Sequence, residues 1–155
     1  MFISETIIDA IVEQLEVADF EKEVALFGKR QPALISYVFS EDFELLTQRE
    51  REWMLYLMIV ILYAIEREKK VTLKSVSKKA LEIAEERNLE LLDGVSENRF
   101  RERMTVFFDD SEQEDLLAFV EDSLVDDEDS FITKEGREPM FVALKSVIDV
   151  CCEAQ

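Results

Sequence analysis

Between Trp53 and Ile65 the chain reads WMLYLMIVILYAI, thirteen residues without a charge, flanked by Arg49 to Glu52 on one side and Glu66 to Lys70 on the other. Thr47-Gln48-Arg49-Glu50 has the form of a capping box, in which the Thr47 hydroxyl accepts from the Glu50 amide and the Glu50 carboxylate reaches back. This predicts a helix from Gln48 to Lys69. A helix apolar on every side must be covered on every side. At 1.5 Å per residue the uncharged run is about 20 Å long, short of the roughly 20 apolar residues that a bilayer requires. Ile59, Val60 and Ile61 are β-branched, but no strand partner with turn signals accompanies them. The run is therefore expected to be a buried central helix.

Other segments alternate apolar and polar positions with helical spacing. Ile7, Ile8, Ile11, Val12, Leu15 and Ala18 form one face, with Ser4 or Thr6 as cap, and the pattern extends through Val24 and Phe27 to a stop at Gly28. Pro32 suits the first turn of a helix with Ile35, Val38, Phe39, Phe43 and Leu46 on its apolar face; Ser40 to Phe43 can restart it, so the region is expected to be either one bent helix or two short ones. Thr72 is expected to cap a helix to about Asn88, with Leu73, Val76, Ala80, Ile83, Ala84 and Arg87 on one side. Ser96 is expected to cap a helix through Phe108. Ser111-Glu112-Gln113-Glu114 has the form of a second capping box, before a helix burying Leu116, Leu117, Phe119, Val120 and Leu124. Glu138-Pro139 opens a last helix with Phe141, Leu144, Val147, Ile148 and Cys151 on its apolar face. The prediction is an all-α, compact single domain over residues 1–155, with six to eight helices around the central one.

Composition supports this and removes some chemistry. Three glycines and two prolines leave little material for the turns of an all-β fold. With no histidine, Ser-His-Asp and Cys-His catalysis and imidazole metal ligation are excluded. No glycine-rich phosphate loop, nucleophile elbow or metal-ligand spacing is present, so the expectation is a non-enzyme without cofactor or metal. Cys151 and Cys152 are adjacent and do not form a disulfide framework; together with the absence of a signal-peptide pattern at the N-terminus they point to a reducing cytoplasm.

The net charge of −18 opposes nucleic acid and anionic membranes. It is unevenly placed: residues 47–108 sum to +1 and residues 109–135 to −11. Asp126, Asp127, Glu128 and Asp129 fall near EF-hand calcium-loop spacing. A frame with Ile132 at the eighth position puts Val125 first, Ser130 sixth and Gly136 twelfth, so the required ligands are missing. The acidic segment either covers the chain's own basic residues or docks a basic partner. The expected function is that of a non-catalytic adaptor or regulatory domain that binds another protein, a basic one or a second copy of itself. Its candidate contacts are Glu112, Glu114, Asp115, Asp126, Asp127, Glu128 and Asp129. The alternative is a helix-turn-helix DNA-binding regulator using Gly94 to Met104, with Arg99, Arg101 and Arg103 on phosphates or bases. Against it, Glu90 stands where that motif needs a small residue.

Overall fold

The computed structural model describes residues 1–125 and 131–154. Eight α-helices follow in order among them: α1 (Glu5–Glu16), α2 (Phe20–Arg30), α3 (Pro32–Val38), α4 (Gln48–Lys69), α5 (Lys78–Asp93), α6 (Phe100–Asp110), α7 (Glu114–Val125) and α8 (Lys134–Glu153), with a 3-10 turn at Glu41–Phe43. The protein is all-helical: no strand occurs among the described residues. None of the described helices is long and apolar enough to cross a membrane.

α4 occupies the predicted span and its capping box is complete, with Thr47 Oγ1 accepting from the Glu50 amide and Glu50 Oε1 accepting from the Thr47 amide. From Met54 to Ile65 only Tyr56 and Tyr63 reach partial exposure. α1, α3 and α8 pack on α4. α8 is a second enclosed helix: Met140 to Ile148 are buried without interruption, including Lys145 and Ser146. α5, α6 and α7 cover it.

Several boundaries depart from the sequence expectations, each for a local reason. α1 stops at Glu16 because Asp19 accepts from the Lys22 amide and starts α2, which then runs through Gly28 to Arg30. Thr72 caps nothing. Residues 72–77 form neither helix nor strand and are held by Gln31, which donates to the Lys74 carbonyl and accepts from the Val76 amide, and by Glu66, which accepts from the Leu73 amide. Ser77 then caps α5. α5 buries Leu81, Asn88 and Leu92, while Ile83, assigned above to the core side, is 58% exposed. Ser96 does not cap α6, which begins only after Arg99. The second capping box does not form: Ser111 Oγ accepts from the Gln113 amide, and the Gln113 side chain accepts from the Ile3 amide and donates to the Met1 carbonyl. α8 opens at Lys134, with Thr133 as its cap, and Pro139 lies inside it.

The two enclosed helices are joined at their N-termini by one side chain. Glu50, fully buried, accepts from the Thr47 amide through Oε1 at 2.8 Å and from the Thr133 amide and hydroxyl through Oε2 at 2.8 and 3.0 Å. A carboxylate at two helix N-termini satisfies orphan amides and faces the positive ends of both dipoles. Gly136 makes room for it: a Cβ there would meet the Glu50 carboxylate and lie 2.9 Å from Thr133 Oγ1.

Candidate functional site

The acidic residues singled out above are spent partly inside the molecule. Glu112 pairs with the Met1 ammonium at 3.2 Å, and Asp115 accepts from the Glu5 amide at 2.9 Å, at the N-terminus of α1. Glu114 is exposed, with no ion pair among the described residues. Asp126, Asp127, Glu128 and Asp129 lie outside the described residues.

The three arginines of the DNA-binding alternative do not form one free face. Arg101 pairs with Glu121 and Asp122 of α7. Arg103 grips Glu138 of α8 through both ends of its guanidinium, at 3.1 and 2.9 Å. Arg99 is exposed, 3.9 Å from Glu102. These pairs tie α6 to α7 and α8.

Sequence reasoning missed a fully buried cation. Lys145 is fully enclosed, its ammonium shared among Asp149 (2.7 and 3.0 Å), Asp110 (2.9 Å) and Asn88 Oδ1 (3.1 Å). Arg87 binds Asp110 from outside through two hydrogen bonds. These bonds, with help from Lys145, hold the Asp110 carboxyl below the usual carboxylate range against the opposing effect of burial. A groove of about 840 Å³ lies over this cluster, lined on the α5 side by Ala80, Ile83, Ala84 and Arg87, the stripe expected in the core. Its charges balance locally, because Asp110 and Asp149 are already matched by Arg87 and Lys145.

Elsewhere on α5 the charges do not balance. Two cavities adjoin there, sharing Asp42 and Glu85 as a common wall. The first, about 540 Å³, has Pro32, Ala33, Tyr37 and Leu81 as its apolar part. The second, about 470 Å³, has Phe43, Leu89, Leu92, Pro139 and Val142. Five carboxylates line the pair (Asp42, Glu82, Glu85, Glu135 and Glu138) against two cations, Lys78 and Lys134. Arg103 neutralises Glu138, and Lys78 lies 3.8 Å from Glu82. Asp42, Glu85 and Glu135 have no ion-pair partner among the described residues. Tyr37 lies beneath the shared wall, its hydroxyl donating to Glu85 and its ring edge-on to Phe43. Burial, then the hydrogen bond to Glu85 and the charges of Glu85 and Asp42, push the phenol far above its ordinary value, so Tyr37 remains a donor. The sequence signal for these cavities was weak, because Leu81, Glu85 and Leu89 recur every four residues on α5 while Ala80, Ile83 and Ala84 make an equally regular stripe. Comparison with protein-family models, with curated proteins and with solved structures finds no match.

Proposed function

We propose that this chain is a non-catalytic protein-interaction domain that docks a basic segment of another protein on its acidic surface, in the reducing cytoplasm where its free thiols persist. The observation that carries this is the pair of adjoining cavities, apolar inside and bounded by Asp42, Glu85 and Glu135 without matching cations. Burial of apolar anchors supplies affinity at such a surface, and the surrounding charge supplies encounter rate and choice of partner. The large groove over Lys145 lacks that charge bias, and the arginines of α6 are held in pairs.

The test is titration calorimetry with a synthetic amphipathic peptide rich in arginine and leucine. Binding is expected at low ionic strength and should weaken as salt shortens the screening length from about 30 Å at 0.01 M to about 8 Å at 0.15 M. The double charge reversal Asp42→Lys with Glu135→Lys should remove it. Equal binding by the folded variant, or no binding at low salt, would reject the proposal.

A further inference from the structure

The two cavities lie on one face of α5. Leu81 lines the first, Glu85 the shared wall, Leu89 and Leu92 the second. These positions are four, eight and eleven residues from the first, all on one side of a 3.6-residue helix. The eight steps from Leu81 to Leu89 span about 12 Å at 1.5 Å each. A partner side chain entering each cavity must therefore have its neighbour about two helical turns away. Leu89, in the wall of the second, is 46% exposed. An extended strand could span the same length, but it would lay unpaired backbone amides along a helix, which has no free ladder to receive them.

Resting on the docking function proposed above, we infer that the partner presents one side of an α-helix to this surface. Apolar residues at i and i+7 enter the two cavities, and an arginine at i+3 or i+4 meets Asp42 and Glu85 between them. Arginine suits the wall better than lysine because two carboxylates from different elements, Asp42 after α3 and Glu85 on α5, offer separate acceptors to a forked donor. Tyr37 acts through Glu85 as a positioning residue, fixing one carboxylate oxygen from below so that the other faces outward.

The test uses fluorescence anisotropy with three labelled helical peptides of matched length on the whole chain. The first has leucines at i and i+7 with arginine at i+4. In the second the arginine is moved one position round the helix. In the third lysine replaces it. The first is expected to bind about tenfold tighter than the second and several-fold tighter than the third. Tyr37→Phe, which keeps the ring, should bring the arginine-to-lysine ratio to about one while circular dichroism stays unchanged. Equal binding of the first two peptides, both still weakened by salt and by Asp42→Lys with Glu135→Lys, would overturn the helical pattern and leave the docking function standing. No binding by any peptide would overturn both. Dimerisation seen by sedimentation and abolished by Leu89→Arg would assign the cavities to a second copy and overturn the inference as well.

Discussion

Removing the carboxylate of Glu50 tests whether the two enclosed helices depend on it. In Glu50→Ala, three charge-assisted hydrogen bonds disappear, those from the Thr47 amide, the Thr133 amide and the Thr133 hydroxyl. Bonds to charged groups contribute about 1.5–3 kcal/mol each. Relief of the carboxylate's own desolvation, several kcal/mol, offsets part of that loss. A net destabilisation of about 3–5 kcal/mol remains. At this chain length about 2–4 °C of melting temperature accompanies each kcal/mol, so a fall of roughly 10 °C is expected by circular dichroism. Gly136→Ala provides the internal control. In the parent it should destabilise, because the new Cβ meets the Glu50 carboxylate. In the Glu50→Ala background the carboxylate is gone and only the contact with Thr133 Oγ1 at 2.9 Å remains, while alanine is about 1 kcal/mol better than glycine within a helix. The cost should shrink. Two effects that simply add, or a Glu50→Ala protein melting within about 2 °C of the parent, would refute the double-cap account.

Lys145→Met should cost about 3–5 kcal/mol in urea denaturation, since it leaves Asp110 and Asp149 facing each other without their shared cation; a loss under about 1 kcal/mol would place the cluster's stability elsewhere. Because the Asp110 carboxyl is held below its ordinary value, its contribution is complete above the unfolded value near pH 4 and is lost as pH falls through the lower folded value. Melting temperature followed from pH 6 to pH 2 should therefore drop less steeply in Arg87→Met than in the parent, and parallel curves would contradict this. Burial pushes the Cys151 and Cys152 thiols up to about 12 and about 11, so both should react slowly with a disulfide reagent at pH 8, Cys151 only as fast as the protein opens. Rapid labelling of Cys151 in the folded chain would be incompatible with its enclosure.

α4 was readable because its signals are local: an uncharged run and a cap four residues long. α8 was readable only in part. Its apolar face, from Phe141 to Cys151, stood out, but nothing in the sequence marks Lys145 as buried, since its partners Asn88 and Asp110 lie on other helices. The start of α5 had the same difficulty. Thr72 and Ser77 are both acceptable caps, and the choice falls to Gln31, more than forty residues earlier in the chain, which binds the backbone of Lys74 and Val76 between them. On α5 two apolar stripes compete, and the side that faces inward carries the buried Leu81, Asn88 and Leu92. The arginines of α6 show the limit for function. Their spacing suggested a basic face, but the acids that pair with Arg101 and Arg103 come from α7 and α8.

α4 and α8 run side by side in the same direction, so their dipoles oppose close packing unless both ends are compensated. Glu50 serves the N-terminal end, and Lys69 the other, donating to the carbonyls of Cys152 at 2.7 Å and Ala154 at 2.6 Å. Glu50 and Lys69 are nineteen residues apart, as are Thr133 and Cys152. The pair is thus a ladder with a rung at each end and rails of matched length. Deleting one residue from either rail would turn the helix beyond it by about 100° and shorten it by 1.5 Å, detaching a rung. Insertions and deletions in these two helices are tolerable only when both change together, whereas the loops between α5, α6 and α7 are free of that constraint.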